Sequence, residues 1–335
     1  ENGSLVSVTL ADGTIIPCQL AVVAIGVTPN ASLAREAGLK IGKTGGIVVN
    51  EYMQTSDANI YAAGDCVELL HRQSGQPTYA PFGDLANLQG RVAGNNVVKG
   101  NRQMFGGTQQ TGICKVFDLT VGSTGFSETN AQKIGLSNIA SVVNASLDKP
   151  GFMQGELLIT KLVVQNLTGQ IVGAQVVGQG DVSKQLAIWA MAIRACMSVN
   201  DMTDVDLPYA PPYSLAIDHS IATAHIMQNK IDGLYSGITA YELKKRLSKN
   251  EPVLLLDMRN PDEFEQVKLD IGEKLIPLGQ LRKRLGELPS DKDTLIVTYC
   301  KISLRGYEAA RILMQHGYTN VKVLEGGIMA WTKEE

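Results

Sequence analysis

The segment TLIVTYCKISLR, residues 294–305, decides the fold of the last third of this chain. Its first six residues are apolar, aromatic or β-branched, which predicts a buried strand over residues 294–299. After a short loop, apolar residues at helical spacing predict a helix over residues 304–316. Cys300 is therefore expected between the carboxyl end of a strand and the start of a helix, which is where open α/β sheets bind ligands.

The same alternation of strands and helices extends on both sides of this segment. The predicted strands cover residues 253–256, 294–299 and 321–324, and the predicted helices cover residues 240–249, 261–266, 278–285 and 304–316. Such alternation is typical of a parallel sheet covered by helices. A polar, glycine-containing linker precedes it, so we assign an α/β domain to residues 236–335.

The predicted surroundings of Cys300 suit a nucleophile. The first N–H groups of a helix lack partners within the helix, and the helix dipole is positive at that end. Both features favour a thiolate over a thiol, and Arg305 and Lys301 add positive charge nearby. Such a thiolate can attack sulfane sulfur and hold it as a persulfide. The alternative is a buried structural cysteine, which is the commoner role of a lone Cys.

Three motifs in order carry a resemblance to the rhodanese family. They are DMR followed by EF (residues 257–259 and 263–264), the six-residue loop CKISLR (300–305), and EGG followed by a tryptophan (325–327 and 331). The resemblance implies that Cys300 carries sulfur next to Arg305, and that Asp257 and Arg259 support the loop. Ser303 stands where family loops often have Gly, and residues 269–277 depart from a His-x-x-Gly-Ala segment. These departures predict a tighter or misshapen cradle for the sulfur.

A second signal is TSDANIYAAGD, residues 55–65, in which a predicted strand over residues 60–63 ends in Gly-Asp. A carboxylate at the end of a strand can accept hydrogen bonds from a polyol, and glycine permits close approach of a ligand. The alternative for a bare Gly-Asp is an Asx turn. The segment resembles the flavin-binding signature of FAD-dependent pyridine nucleotide–disulfide oxidoreductases. The resemblance implies that Ala63, Gly64 and Asp65 contact FAD, with Asp65 on its ribityl chain.

Two further stretches of the first hundred residues support the same resemblance. VVAIGVTPN (22–30) matches the family strand that leads back from the NAD(P)H domain into the FAD domain. NLQGR (87–91) lies in a helix predicted over residues 85–98 and matches the family helix whose N-terminus faces the flavin ring, which implies a flavin-facing role for Asn87. We therefore assign residues 1–104 to the C-terminal part of the FAD- and NAD(P)-binding domains.

Residues 105–228 form a separate α+β unit by pattern and resemble the dimerisation domain of the same family. VFDLTV (116–121) and YAPPYS (209–214) are most similar to the branch that reduces coenzyme A (CoA) disulfide. In that branch a tyrosine of one subunit reaches the flavin and disulfide site of the other, and Tyr213 matches that position. The resemblance therefore implies a homodimer and a catalytic Tyr213, whose alternative role is that of a packed interface aromatic. The branch's second tyrosine, before Pro-Gly, is replaced by Lys149, which predicts a relaxed or different substrate.

Composition limits the function further. Hydrophobic residues make up 44%, charged residues 19%, and the net charge is −3, so nucleic acid is not an expected partner. The sequence has no apolar run long enough to span a membrane, and its five cysteines show neither a disulfide framework nor the spacing of metal ligands. We predict a cytoplasmic protein without a metal site.

The sequence also lacks a complete GxGxxG motif, although members of the resembled family carry two, together with an early redox cysteine. The chain opens on a predicted hairpin, with strands over residues 5–10 and 15–24 around a turn at Asp12-Gly13, and a lone hairpin cannot bury its own faces. We therefore expect these elements to precede Glu1, in an N-terminal redox half.

The resemblance as a whole predicts an FAD- and NAD(P)H-dependent reductase of CoA disulfide, CoA persulfide or polysulfide. In this reading, the rhodanese domain carries sulfane sulfur on Cys300. One alternative is a stand-alone sulfurtransferase or sulfur carrier on a dimeric scaffold. Another is a non-catalytic module that uses the Cys300 loop only to bind a partner.

Overall fold

The computed structural model describes residues 3–331. The outer ends of the predicted first and last domains, residues 1–2 and 332–335, lie outside the described residues. The chain divides into two compact units: one runs up to Leu70 and includes Pro77–Gly107, and the other comprises His71–Gln76 and the residues from Thr108 onward. The predicted boundary around residues 228–236 falls inside the second unit.

The first unit contains two small sheets and two helices. Its strands are β1 (Ser7–Thr9), β2 (Ile15–Pro17), β3 (Ile47–Val48), β4 (Val67–Leu70) and β5 (Pro77–Thr78), and its helices are α1 (Ser32–Glu36) and α2 (Gly83–Lys99). β1 and β2 form an antiparallel hairpin, and the other sheet has the order β3-β4-β5. The core of this unit includes Met53, Val67 and Val92.

Two strand predictions in this unit were too long. The apolar run 15–24 forms a strand only as far as Pro17, and residues 60–63 form a single bridge between Tyr61 and Gln54 instead of a strand. A strand requires a hydrogen-bonded neighbour, and among the described residues the first run has none beyond Cys18, whereas the second run has only the short stretch around Gln54. Val22 and Ile25 are consequently 82% and 92% exposed.

The second unit begins with an antiparallel sheet of order β6-β7-β10-β9-β8. Its strands are β6 (Gly112–Val116), β7 (Leu119–Gly125), β8 (Ile139–Leu147), β9 (Leu157–Gln165) and β10 (Ile171–Gly178), and its helices are α3 (Glu128–Lys133), α4 (Val182–Arg194), α5 (Val199–Met202) and α6 (His219–Ile231). Apolar residues alternate along β9, and α4 and α6 cover the sheet. Trp189 of α4 is fully buried against it.

The unit continues into a parallel sheet of order β11-β15-β14-β12-β13, as the α/β alternation predicted. Its strands are β11 (Gly237–Ile238), β12 (Leu254–Asp257), β13 (Lys274–Leu275), β14 (Ile296–Tyr299) and β15 (Val321–Leu324), and its helices are α7 (Ala240–Ser248), α8 (Pro261–Gln266) and α9 (Leu304–Gln315). One continuous cluster of buried apolar side chains joins the two sheets. The second unit therefore has a shared core.

The predicted helix over residues 278–285 is instead two short 3₁₀ segments, Leu278–Lys283 and Leu285–Glu287. Gly279 and Gly286 weaken a regular α-helix here, and Pro277 precedes it.

The order of the central strands positions the site: Asp257 at the end of β12 pairs with Tyr299 at the end of β14. The residues that follow both strands therefore meet at one edge of the sheet.

Candidate active sites

Cys300 follows β14 directly and is only 2% exposed. The carbonyls of Cys300 and Lys301 each accept a hydrogen bond at 3.1 Å, from the N–H groups of Ile328 and Met329. Gly327 lies so close that a Cβ there would be 2.4 Å from the Cys300 carbonyl oxygen, and its φ is +59°. A glycine is therefore needed at position 327, because the backbone there packs directly against the cysteine loop.

The loop after Cys300 keeps its N–H groups free. Within the described part of the chain, the N–H groups of residues 301–306 have no hydrogen-bond acceptor, and the first helical bond runs from Tyr307 N–H to the Ser303 carbonyl at 2.9 Å. Ser303 is left-handed, with φ +75°, and its hydroxyl donates to the Leu324 carbonyl. That hydrogen bond offsets a backbone conformation that costs a non-glycine residue about 1–2 kcal/mol. The loop therefore has unpaired main-chain donors, and their expected orientation toward the sulfur stays a prediction.

Arg305 is engaged by a carboxylate. Its Nη1 and Nη2 donate to Glu263 Oε2 and Oε1 at 2.7 and 2.6 Å. These hydrogen bonds lower the pKa of Glu263 to about 2 and are the largest cause of the raised pKa of Arg305. The negative charge of an ionised Cys300 also raises the pKa of Arg305. The positive charge that the sequence predicts beside the sulfur is therefore present, but it is shared with Glu263.

A buried ion pair between Arg259 and Asp257 holds the segment that carries Glu263. The Arg259 guanidinium donates to both Asp257 oxygens, with Nη2 at 2.7 Å from Oδ2. It also donates to the carbonyls of Glu263 and Val267 at 2.8 and 2.6 Å. Because both Asp257 oxygens accept hydrogen bonds and each guanidinium nitrogen of Arg259 donates at least one, the burial of these charges is compensated. Asp257 and Arg259 thus position the α8 segment that carries Glu263, in agreement with their predicted supporting role.

The segment that departs from the rhodanese pattern forms an ordered loop around Glu273. Its carboxylate accepts hydrogen bonds from the N–H groups of Leu269, Asp270 and Ile271 at 2.8, 3.1 and 2.8 Å. Burial raises the pKa of Glu273, but these N–H donors outweigh it and hold the pKa below its ordinary value. The loop that departs from the family pattern is therefore held by the Glu273 carboxylate, a contact that no sequence motif indicated.

A cavity of about 340 Å³ opens at Cys300. One wall comes from the loop itself, including Ile302 and Leu304, and the opposite wall comes from Leu147 and Leu157 of the antiparallel sheet. The sulfur site is thus built by both halves of the second unit. Sequence reasoning missed Leu147 and Leu157, because only their distance in space, and no motif, connects them to Cys300.

The predicted flavin segment forms a tight turn in the first unit. Gly64 has φ +90°, and its N–H donates to Gln89 Oε1 of α2 at 2.7 Å. Asp65 is exposed, and its carboxylate has no hydrogen-bond partner among the described residues. Ala63 precedes this turn and is half-buried. The turn therefore presents an unpaired carboxylate next to the first turns of α2.

Helix α2 begins at Gly83, two residues before the predicted start. The N–H groups of residues 83–85 have no acceptor within the described residues, and the first bond is from Ala86 N–H to the Phe82 carbonyl. Asn87 lies in the second turn, and its Nδ2 donates to the Gly83 carbonyl at 2.7 Å. The free N–H groups at the start of α2 can thus bind an anion or contact a ring. Asn87 does not belong to this first turn, and its flavin contact stays a prediction.

Gln89 was not singled out from the sequence, although it anchors Gly64. It is buried on the same face of α2 as Val92 and Asn96. A polar residue at the helical spacing of an apolar face is the signal that could have identified it.

Tyr213 lies in the proline-rich segment before α6 and is 73% exposed. Its carbonyl accepts a hydrogen bond from Lys184 Nζ at 3.3 Å, and Lys184 pairs with the buried Asp218 at 2.8 Å. Burial raises the pKa of Asp218, but hydrogen bonds led by that from Lys184 outweigh it and lower the pKa. The backbone of Tyr213 is therefore anchored, whereas its ring is exposed.

The adjacent Asp218, His219 and Ser220 do not form a catalytic triad. The two ring nitrogens of His219 lie 2.6 Å from Ser146 Oγ and 2.8 Å from Thr160 Oγ1, and burial lowers the pKa of His219 to about 4.

Across residues 3–331, no group of three or more His, Cys, Asp or Glu side chains is arranged to hold a metal ion. No helix within the same range combines the length and apolarity needed to cross a bilayer.

Three family models match successive parts of the chain. The model described as pyridine nucleotide-disulphide oxidoreductase matches residues 1–82, and the model of that family's dimerisation domain matches residues 111–221. The rhodanese-like domain model matches residues 239–334.

Individual relatives agree with these matches. The CoA-dependent NAD(P)H sulfur oxidoreductase of Pyrococcus furiosus is 35% identical over 228 residues, which are 68% of this chain and 51% of the relative. The coenzyme A disulfide reductase of Staphylococcus aureus is 25% identical over 214 residues, which are 64% of this chain and 48% of the relative. The chain thus spans about half the length of the curated relatives it matches.

Two solved structures match nearly the whole chain. A NAD-dependent persulfide reductase from A. fulgidus has a TM-score of 0.88 at 43% identity, covering 97% of this chain and 58% of that one. The reduced CoADR-RHD protein of Bacillus anthracis has a TM-score of 0.85 at 35% identity, covering 97% and 57%. The chain therefore belongs to the pyridine nucleotide-disulphide oxidoreductase family and carries that family's dimerisation domain and a rhodanese-like domain.

Proposed function

We propose that this chain belongs to an FAD- and NAD(P)H-dependent reductase of CoA disulfide, CoA persulfide or polysulfide, in which Cys300 carries sulfane sulfur. The observation that carries the sulfur part is the Cys300 loop, with its free N–H groups and the Arg305–Glu263 pair. Free N–H groups at a helix start stabilise an anionic sulfur. The relatives' names, CoA-dependent sulfur oxidoreductase and persulfide reductase, support the redox part.

The first unit offers groups that fit FAD. Asp65 has an unpaired carboxylate that can accept hydrogen bonds from a polyol, and Gly64 allows a ligand to approach the backbone closely. The free N–H groups of residues 83–85 can stabilise negative charge. In this proposal Ala63, Gly64 and Asp65 hold the cofactor, with Asn87 on the adjacent helix. FAD, when bound, supplies two-electron transfer from a nicotinamide to a disulfide.

The proposed enzyme is a cytoplasmic homodimer. The match to a dimerisation domain supports the dimer, and the exposed ring on an anchored backbone suits a role for Tyr213 in the partner's active site. A phenol there can donate a proton to a leaving thiolate. The substrates named for relatives, CoA disulfide among them, support a CoA-linked sulfur substrate.

Reduction assays on the full protein test this proposal. We expect a yellow protein that oxidises NAD(P)H when CoA disulfide, CoA persulfide or polysulfide is added. Incubation with a persulfide donor should add one sulfur atom to Cys300, detectable by mass spectrometry, and the addition should be absent in Cys300→Ser. A colourless protein that ignores all three substrates would end the redox part, and unchanged sulfur loading in Cys300→Ser would end the sulfur part.

A stand-alone sulfurtransferase or sulfur carrier is the second candidate. Its supporting observation is that described residues of this chain alone build the whole Cys300 site. Thiosulfate:cyanide transfer by this chain without added flavin, lost in Cys300→Ser, would favour this candidate if NAD(P)H oxidation is absent.

A further inference from the structure

We infer that Ser146 of the dimerisation domain is a catalytic residue of the Cys300 site, where its hydroxyl donates a hydrogen bond to the thiolate that leaves when Cys300 takes up sulfur. The inference rests on the proposed function and extends it to a residue outside the rhodanese-like domain. Ser146 belongs to β8, which lies within the matched dimerisation domain. The motifs around Cys300 do not include Ser146, because the two residues are far apart in the chain.

Ser146 lines the cavity of about 340 Å³ that opens at Cys300. The antiparallel sheet contributes Ser146 and two leucines to this cavity, and the loop after Cys300 forms most of the other side. On the loop side, Lys301 and Arg305 supply positive charge. Among the described residues that line the opposite wall, Ser146 is the one with a polar side chain. It also lines the neighbouring cavity of about 580 Å³.

A buried histidine holds the Ser146 oxygen in place. His219, the first residue of α6, is 1% exposed, and its Nδ1 lies 2.6 Å from Ser146 Oγ. Its Nε2 lies 2.8 Å from Thr160 Oγ1 of β9. Burial, which Asp218 and Asp148 oppose only partly, lowers the pKa of His219 to about 4, so the ring is neutral at pH 7. A neutral imidazole has one donor nitrogen and one acceptor nitrogen.

The surrounding hydrogen bonds assign the ring proton of His219 to Nδ1. Ser146 has a single hydroxyl hydrogen, and the hydroxyl donates to the Leu147 carbonyl at 3.1 Å. Ser146 Oγ must then accept from His219 Nδ1, and Nε2 accepts from the Thr160 hydroxyl. His219 therefore positions the serine oxygen without using the serine hydrogen. Rotation about the Cβ–Oγ bond can move that hydrogen from the Leu147 carbonyl to a group in the cavity.

The sulfur-transfer step develops negative charge in this cavity. The Cys300 thiolate attacks the outer sulfur of a persulfide R–S–SH, and a new S–S bond forms as the S–S bond of the persulfide breaks. The products are the Cys300 persulfide and R–S⁻, which leaves with the electron pair. The Ser146 hydroxyl donates a hydrogen bond to R–S⁻ and keeps its own proton. A hydrogen bond that strengthens as charge develops on the leaving sulfur accelerates the step.

Leaving groups of different basicity distinguish this role from a structural one. A basic alkyl thiolate has its charge concentrated on sulfur and gains more from the hydrogen bond than an aryl thiolate, whose charge spreads into the ring. Loading of Cys300 is measured in the full protein in a single turnover, by mass spectrometry after rapid quenching, from 2-hydroxyethyl persulfide and from 4-nitrophenyl persulfide. We expect Ser146→Ala to slow loading about tenfold or more from the alkyl donor, and less than about threefold from the aryl donor.

Two further variants and a second reaction separate this effect from misfolding. Ser146→Thr keeps a hydroxyl and should load within about threefold of the wild type from both donors. Ser141→Ala removes a hydroxyl from the same strand, but Ser141 lines neither cavity, so both rates should be unchanged. Alkylation of Cys300 by iodoacetamide releases no thiolate and should proceed equally in the wild type and in all three variants.

Several outcomes would overturn the inference. Equal losses from both donors in Ser146→Ala, or slower alkylation of Cys300, would indicate a structural role. Unchanged loading from both donors would assign the leaving charge to another group, such as Lys301. Loading by Ser146→Thr as slow as by Ser146→Ala would show that the hydroxyl is not the active group. If neither donor loads Cys300 in the wild type, the proposed sulfur chemistry itself fails, and that outcome is distinct from the others.

Discussion

Glu325 offers the sharpest test of how the rhodanese-like domain is held against the dimerisation domain. Its carboxylate is 1% exposed and accepts hydrogen bonds from Val143 N–H and from Lys230 Nζ, both at 2.9 Å. Lys230 also donates to the Ser141 carbonyl at 2.6 Å. Glu325 immediately precedes the Gly-Gly pair, whose second residue, Gly327, packs on the Cys300 loop. Removing this carboxylate should therefore loosen one wall of the sulfur site.

The expected magnitude follows from what each variant leaves behind. Glu325→Ala leaves the Val143 N–H without its acceptor, at a cost of about 1–3 kcal/mol, and removes a buried methylene worth about 0.8 kcal/mol. Lys230 keeps its Ser141 bond and is 29% exposed, so its own loss is small. We expect a loss of about 2 kcal/mol in the free energy of unfolding. Glu325→Gln keeps an acceptor and should lie within about 1 kcal/mol of the wild type.

Urea unfolding followed by tryptophan fluorescence measures both effects, because Trp189 lies in the antiparallel sheet core and Trp331 lies at the end of the parallel-sheet part. The chain has only these two tryptophans. Sulfur transfer from an organic persulfide should fall with Glu325→Ala and persist with Glu325→Gln. An Ala variant as stable as the wild type, or a Gln variant as unstable as the Ala variant, would refute the reasoning.

The pH dependence of the same pair has a definite sign. Burial raises the pKa of Glu325 above its ordinary value of 4.5, and the partly opposing effect of Lys230 does not cancel it. The folded state therefore favours the protonated carboxyl more than the unfolded state does. This contribution to stability is full below pH 4.5 and is lost as pH rises through the folded-state pKa. Glu325→Gln should gain stability relative to the wild type over that rise, as measured by parallel urea titrations.

Three further predictions concern the other site residues. Glu263→Gln should free Arg305 and raise kcat/KM for thiosulfate about threefold or more. Because the pKa of Glu263 is lowered to about 2, its ion pair with Arg305 is kept above pH 4.5 and is lost only as the pH falls from 4.5 through the folded-state pKa. A loss of sulfur transfer between pH 7 and 5 in the wild type would therefore need another cause. Asp65→Ala should weaken FAD retention about tenfold or more, as measured by absorbance after dialysis, whereas the exposed control Asp204→Ala should not. Tyr213→Phe should lower kcat for CoA disulfide about tenfold or more while sulfur transfer from thiosulfate stays unchanged; equal loss of both would indicate a structural role.

Local pattern was enough to predict the elements around the sulfur site. The apolar run that ends at Tyr299 formed β14, and the helical spacing after Ser303 formed α9, within one or two residues of expectation. These elements depend on side chains a few positions apart, so their period is visible in the sequence. The two-residue strands β11 and β13 were missed because they exist only through pairing with β15 and β12.

In the first unit, local pattern alone predicted more strand than the structure contains. The apolar pattern over residues 15–24 indicates a buried strand, but only residues paired in the β1–β2 hairpin are strand in the structure. Periodicity reports which side chains favour burial, whereas a strand also needs a neighbouring strand to hydrogen-bond. The shift of α2 to Gly83 likewise depends on Phe82, which accepts the first helical bond from Ala86.

By itself, the sequence determined the domain types, the placement of Cys300 at a strand end, and the motifs that carry the family resemblance. Tertiary structure alone decided that Arg305 pairs with Glu263, that Glu325 binds Lys230, and that Leu147 and Leu157 face the cysteine loop. The reason is physical: the strand, loop and helix around Cys300 follow from interactions between near neighbours in the chain. Charge balance and cavity shape depend instead on residues that are distant in the chain and meet only when the fold brings them together.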